Sequence, residues 1–265
     1  MELQSALKYG PIVNSNISAL SLEESIALIE GWARNDEPNY VCICNTHSVV
    51  TASKDEKFKD VINTAGLSTP DGMPLVWALK MYGYNNQDRV DGPTLMVKLC
   101  ERSADNKLNI FFYGSTEETL ETLVDKMKNQ YKGINICGKY SPPFRELTTE
   151  EDEQVISMIN GSNADIVFVS LGCPKQEYWM FDHRDKVKGV MIGVGAAFDF
   201  YIGKVKRPPA IFQKMGMEWF FRLIHEPKRL WKRYAYNNPV YIFKFITTYR
   251  RNKRQLVSIK NMERQ

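Results

Sequence analysis

The sequence predicts an α/β fold: a Rossmann-like, mostly parallel sheet with helices on both faces, followed by a basic helical appendage at the C-terminus. Three observations carry that reading. Short, near-continuous apolar runs rich in β-branched residues recur between stretches of ten or more residues with helical periodicity, the pattern of strands buried on both faces. Gly and Pro turns close the apolar runs, and capping-box signals open the helices. Charge is divided along the chain: residues 222–265 carry 12 Lys and Arg against 2 acidic residues, and residues 1–221 carry 23 against 29. The formal net charge of +4 therefore hides a body of −6 and a tail of +10.

The elements follow in order. Ser21 and Glu24 form a capping box that opens a helix to about Arg34, and Tyr40–Cys44 reads as a buried strand ending in Asn45-Thr46-His47. Ser53 and Glu56 repeat the capping box ahead of a helix to about Ala65. The run Leu67-Ser68-Thr69-Pro70-Asp71-Gly72-Met73-Pro74 is an abrupt turn. Pro70 biases Thr69 toward extended geometry and Pro74 is pre-set for a first helical turn, so Asp71 falls where a strand ends and a short helix to Met81 begins. Arg89-Val90-Asp91-Gly92-Pro93 leads into a helix through about Ser103. Leu108–Tyr113 is a strand stopped by Gly114, with Ser115 and Glu118 capping a helix to about Tyr131. Strands at Ile134–Cys137, Asp165–Leu171 and Gly189–Val194 follow. Between them lie helices over about Thr149–Asn160 and from the turn Gly172-Cys173-Pro174-Lys175-Gln176-Glu177 to about Lys186. The last strand ends in Gly195-Ala196-Ala197-Phe198-Asp199. A boundary is expected at 203/204, with the α/β domain in 1–203 and the appendage in 204–265.

At 265 residues, 43% hydrophobic and 12% aromatic, the chain can bury a substantial core. Its five cysteines, Cys42, Cys44, Cys100, Cys137 and Cys173, include no C-x-x-C pair, which argues against a disulfide framework or a zinc site and fits a reducing cytoplasm. With neither a leader pattern at Met1–Gly10 nor an apolar run of about 18 residues, the protein is expected to be neither secreted nor membrane-spanning.

Chemistry is expected where the strands end, since open α/β sheets bind ligands there. Asp71 is the prominent acid of that edge; capping the next helix is the other role open to it. Gly114-Ser115 and Gly172 offer backbone N–H groups beside helix starts, the arrangement that receives phosphate. Neither turn is a full G-x-G-x-x-G or a Walker A sequence, which weakens a dinucleotide or ATP reading and leaves a smaller diphosphate ligand open. Lys175 and Gln176 add a cation and an amide, or are solvated first-turn residues. The chain has no Asp-x-Asp, and His47, His183 and His225 lack ligand spacing. Glu150-Glu151-Asp152-Glu153 sits at a helix start, where the macrodipole explains it. No metal and no cofactor are expected. His183 and His225 read as surface or packing residues, and His47 as a loop residue within reach of a ligand.

In the tail, Arg222, Arg229 and Arg233 recur at helical spacing. Past Pro239, aromatic residues and Lys244, Arg250, Arg251, Lys253 and Arg254 make a helix with the composition of an interfacial membrane segment, or one that packs on the body or a second subunit. The charge alone fits phospholipid, nucleic acid or a diphosphate.

The ordered set Asn45, Thr69-Pro70-Asp71-Gly72, Arg89-Val90-x-Gly92, Gly114, Gly172-x-Pro174-Lys175-Gln176-Glu177, Gly193-Val194-Gly195, Phe198-Asp199, Gly203, Lys206-Arg207 and Gly216-x-Glu218-Trp219-x-x-Arg222-Leu223-x-x-Glu226-Pro227-x-Arg229 resembles the WecG/TagA/CpsF glycosyltransferases, glycosyltransferase family 26. The resemblance covers roughly residues 10 to 240. It implies an inverting, metal-independent enzyme at the cytoplasmic face of the membrane, peripherally bound. Such an enzyme moves N-acetylmannosamine, its uronic acid or another hexose or hexuronate from a UDP-sugar to an undecaprenyl-diphosphate-linked saccharide, in cell-wall, capsule or exopolysaccharide synthesis. By the same resemblance Asp71 is the general base, Asn45, Arg89 and Gln176 line its pocket, and the appendage completes the site and touches the membrane. Gly114, Gly172, Lys175, Gln176, Glu177, Gly195 and Asp199 would then hold the UDP-sugar, with Asp199 at the nucleoside, and Arg222, Arg229 and Arg233 a diphosphate. A homo-oligomer is left open and no nucleic-acid partner is expected. Two departures stand out: Ile43 occupies a position where many relatives have Thr, and Arg207-Pro208-Pro209 replaces Arg-Ala-Pro. The competing reading is a non-catalytic, Rossmann-like protein that binds a nucleotide sugar or a polyanion.

Overall fold

Six of the predicted apolar runs form one wholly parallel sheet. They are β3 (Tyr40–Cys44), β4 (Leu67–Pro70), β5 (Asn109–Gly114), β6 (Asn135–Tyr140), β7 (Ile166–Ser170) and β8 (Val190–Gly193), in the spatial order β4-β3-β8-β7-β5-β6. The computed structural model describes residues 8–206, 208, 212, 216–225 and 227–262, with the side chains of Glu218, Arg222, His225, Arg229 and 259–262 outside that description.

Alternation along each strand feeds two cores. In β3, Tyr40, Cys42 and Cys44 enter one core and Val41 and Ile43 the other. On the first face lie α2 (Thr46–Ala52), α3 (Glu56–Thr64), α4 (Met73–Met81), α7 (Thr149–Gly161) and α8 (Lys175–His183). On the second lie α1 (Leu22–Arg34), α5 (Gly92–Asn106), α6 (Glu117–Gln130) and α9 (Ala197–Ile202). Because all six strands run the same way, Asn45, Asp71, Ser115, Gly172 and Gly195 follow strand ends on one edge of the sheet.

Several local features depart from expectation. A hairpin of β1 (Tyr9–Ile12) and β2 (Ser15–Ser18) precedes α1, too short to show in the sequence pattern. The capping box at Ser21 forms, but the one expected at Ser53 does not: residues 46–52 coil into α2, Ser53 closes that helix, and Asp55 caps α3 by accepting from Phe58 N at 3.0 Å. Thr116, not Ser115, caps α6, because Ser115 takes a left-handed φ of 62°. The α8 helix stops at His183 rather than Lys186.

At the C-terminus, α10 (Glu218–His225) is followed by α11 (Pro227–Met262), which runs straight through Pro239. Side-chain bonds from Tyr241, Tyr249 and Asn252 are among those that hold α11 on the body. Tyr241 Oη donates to Pro74 O at 2.9 Å, Tyr249 Oη to Met81 O at 3.0 Å, and Asn252 Nδ2 to both Pro11 O and Val13 O at 2.8 Å. Phe245 packs between them against Tyr241, Tyr249 and Tyr82. Among the described residues no helix is long and apolar enough to cross a membrane.

Candidate active site

Asp71 emerges from the end of β4 beside β3, its N–H donating to Cys44 O at 2.8 Å. Gly72 is the N-cap of α4 and makes no side-chain cap bond, so the Asp71 carboxylate is not the helix cap. It is held instead by Arg89, whose Nη2 and Nε donate to Oδ1 at 2.7 and 3.0 Å, while Nε also donates to the Asp71 carbonyl. Arg89 is positioned by its neighbour: Val90 N donates to Pro70 O at 3.0 Å, and Thr69 Oγ1 donates to Val90 O at 3.1 Å. The Asp71 side chain keeps 24% of its surface exposed, so a ligand can reach it.

That exposure opens into a cavity of about 370 Å³, within the range of small-molecule sites. One wall is Asn45, Thr46 and His47, and a second is Asp71 and Arg89. The third is aromatic, from Trp77 and Met81 of α4 to Trp219 of α10 and Tyr241, Ile242 and Phe245 of α11. Asn45 caps α2, its Oδ1 accepting from His47 N at 2.9 Å and Ser48 N at 3.4 Å, while its Nδ2 has no partner among the described residues. The α11 helix adds Arg233, Asn237 and Asn238. Asn237 Nδ2 donates to His47 Nδ1 at 3.2 Å and Thr46 Oγ1 donates to Asn238 Oδ1 at 3.4 Å. Burial, reinforced by Arg233, pushes the His47 imidazole down to about 4, against the Asn237 hydrogen bond, so the ring is neutral near pH 7.

Gly114, Gly172, Lys175, Gln176, Glu177, Gly195 and Asp199 gather at the neighbouring strand ends and are not among the residues that line this cavity. Gly114 has a φ of 111°, and a Cβ there would meet Ser170 O at 2.4 Å, so only glycine fits. Gln176, only 3% exposed, is a clamp: its Oε1 accepts from Gly172 N at 3.2 Å and Gly195 N at 3.0 Å, and its Nε2 donates to Glu177 Oε1 at 2.9 Å. Glu177 is 1% exposed, and burial pushes its carboxyl up to about 7 despite that hydrogen bond and the nearby Arg233. Lys175 opens α8, which starts at Pro174 without a side-chain cap. Asp199 lies in the first turn of α9, beyond β8. Arg233 reaches the Asp71 cavity, whereas the Arg222 and Arg229 side chains, Arg207 and Glu226 lie outside the described residues. His183 is a packing residue, stacked on Trp179 with Nε2 against Asp152 at 2.9 Å.

The lining residues Trp77 and Asn237 were not singled out from sequence, whereas Tyr241 belongs to the aromatic and basic helix expected past Pro239. A signal existed for one: Asn237-Asn238 ahead of Pro239 is a poor helix-forming run, tolerated where its amides have partners.

An all-parallel sheet with an ion-paired acid, glycine turns and a basic helix on one edge defines an α/β protein whose site lies at the strand ends. The chain belongs to the Glycosyl transferase WecG/TagA/CpsF family, whose profile matches residues 11–255. It is 30% identical over 195 residues to an N-acetylglucosaminyldiphosphoundecaprenol N-acetyl-beta-D-mannosaminyltransferase of Bacillus spizizenii, covering 73% of this chain and 74% of the relative. A protein of the same name from Bacillus subtilis is 33% identical over 190 residues, covering 71% and 72%. The chain is thus a member of a glycosyltransferase family.

Proposed function

We propose that the protein moves a hexose-type sugar, N-acetylmannosamine or a related hexose or hexuronate, from a UDP-sugar to an undecaprenyl-diphosphate-linked saccharide, with inversion and without a metal ion. The observation that supports it most is the Asp71 carboxylate, gripped by Arg89 and lining a cavity walled by α11. In this reading an acceptor hydroxyl gives its proton to Asp71 as its oxygen bonds to the anomeric carbon. The bond from that carbon to the diphosphate oxygen breaks on the opposite face, and UDP departs with the electron pair.

Gly172 and Gly195 N–H are already engaged by Gln176. The departing charge then falls to the uncapped start of α8 with Lys175, to the Gly114 turn and to cationic side chains. Gln176 and Glu177 serve this reading by fixing the two loops, Asp199 by meeting the nucleoside, Asn45 by offering its amide to the sugars. Arg222, Arg229 and Arg233 would meet the lipid-linked diphosphate. Trp77, Met81 and Ile242 of the aromatic wall, with Phe243 and Ile246 farther along α11, are between 49% and 69% exposed and would face the lipid at the inner surface of the cytoplasmic membrane. The names of the two Bacillus relatives support the acceptor class.

The test is UDP release from a panel of UDP-sugars with a lipid-diphosphate N-acetylglucosamine acceptor, for the natural protein and Asp71→Asn. One donor should give acceptor-dependent release that Asp71→Asn lowers by about 100-fold or more. Full turnover by a folded Asp71→Asn protein overturns the base assignment, and no release with any donor overturns the activity.

A further inference from the structure

His47 opens α2 in the seam between that helix and α11. It lines the Asp71 cavity on one side and, on the other, a second cavity of about 590 Å³ flanked by Lys54, Lys232 and Arg233. The ring is fixed from the α11 side, where Asn237, only 6% exposed, donates Nδ2 to His47 Nδ1. A ring nitrogen that accepts carries no proton, so the neutral imidazole bears its proton on Nε2, which has no partner among the described residues. Around it stand Arg233 and Lys232 from α11, Lys54 and Asp55 beyond the end of α2, and Asp71 with Arg89 across the cavity. A donor held in one orientation where cations outnumber acids is suited to an anion.

We propose that His47 donates a hydrogen bond from Nε2 to the diphosphate of a bound substrate, held in that orientation by Asn237 of α11. The inference rests on the glycosyl-transfer reading, in which donor and acceptor each carry a diphosphate. It adds a binding residue that the reading lacks. An anion at Nε2 favours the charged ring, so binding must raise the His47 titration midpoint, now held down to about 4 by burial and Arg233. A neutral sugar at the same place leaves it where it is.

The experiment is histidine nitrogen-15 NMR on the full chain from about pH 4 to 8, with His47 assigned by His47→Gln. Spectra are taken for the free protein, with UDP, and with a short-chain prenyl-diphosphate-linked N-acetylglucosamine. The free protein should show an Nε2–H tautomer that does not titrate above about pH 5. One ligand should raise the midpoint by about a unit or more, identifying whether the donor or the acceptor diphosphate sits there. His47→Phe should lose about tenfold or more in kcat/KM, mostly in KM for that ligand, with His47→Gln retaining more. Asn237→Leu should mix the two tautomers. If both ligands bind by calorimetry and the His47 midpoint stays put, this inference is wrong and the glycosyl-transfer reading survives. If neither ligand binds and no UDP is released, both fall together.

Discussion

At the scale of single residues, Asp71 depends on Arg89 for its geometry more than for charge alone. Two guanidinium nitrogens converge on one carboxylate oxygen, and a third contact ties the same side chain to the Asp71 carbonyl. A guanidinium fork makes that arrangement in one rigid plane, whereas an ammonium is a point charge on a flexible stem. Arg89→Lys therefore keeps the charge and loses the angular hold. With Asp71 as the proposed base, we expect turnover to fall on the order of a hundredfold, because a base displaced by about an ångström no longer meets its proton. Steady-state kinetics with saturating substrates reads this directly, and unchanged turnover would show that Arg89 does not orient the acid. Asn45 shows the same economy of roles, one amide capping α2 through Oδ1 and keeping Nδ2 for the cavity.

At the scale of elements, α11 supplies a wall of the cavity and is held on the body by polar anchors along its length. Asn252 is 3% exposed, and its amide satisfies two carbonyls of the hairpin turn, Pro11 and Val13. Asn252→Leu leaves the Val13 carbonyl without that donor, at a cost of about 1–3 kcal/mol, whereas Pro11 O keeps the Tyr82 hydroxyl at 3.0 Å. The expected result is faster limited proteolysis within α11 and reduced UDP release, with the melting of the α/β body unchanged; equal cleavage rates would show that the anchor is dispensable. These anchors also mark where sequence reading stops. The strands of the sheet were legible because burial on both faces leaves runs such as Ile166–Ser170 almost wholly apolar, and their glycine ends marked the functional edge. The position of Asp71 followed from the two prolines around it. The partners of Tyr241, Asn237 and Asn252 were illegible, because each bonds to a residue 167 to 241 positions away. Helix α2 was hidden by its seven residues, since only packing stabilises so short a helix.

At the scale of the whole molecule, two buried groups make stability depend on pH in opposite directions. Burial raises Glu177 from 4.5 to about 7, so between those values the folded protein holds a proton that the unfolded chain releases, and stability falls as pH rises. Burial lowers His47 from 6.5 to about 4, so across that span the folded protein lacks a proton that the unfolded chain binds, and stability rises with pH. Each slope approaches about 1.4 kcal/mol per pH unit, with the His47 window narrowed by solvent at its partly exposed ring. From about pH 4.5 to 6.5 the two cancel in the natural protein. Replacing either group must uncover the other. Relative to the natural protein, Glu177→Gln should gain stability progressively from about pH 4.5 to 7, and His47→Gln should gain it as pH falls from about 6.5 toward 4. Urea unfolding of the three proteins at half-unit pH steps reads both trends, and subtraction removes carboxylates common to all. Difference curves flat in pH would show that neither group is as buried as the structure has it. Arg233 acts on both, disfavouring charge on His47 and favouring it on Glu177. Replacing Arg233 with Leu should therefore move the two in opposite directions: His47 titrates nearer 6.5 and the difference curve of His47→Gln in that background flattens, whereas Glu177 is pushed further up and its difference curve extends to higher pH.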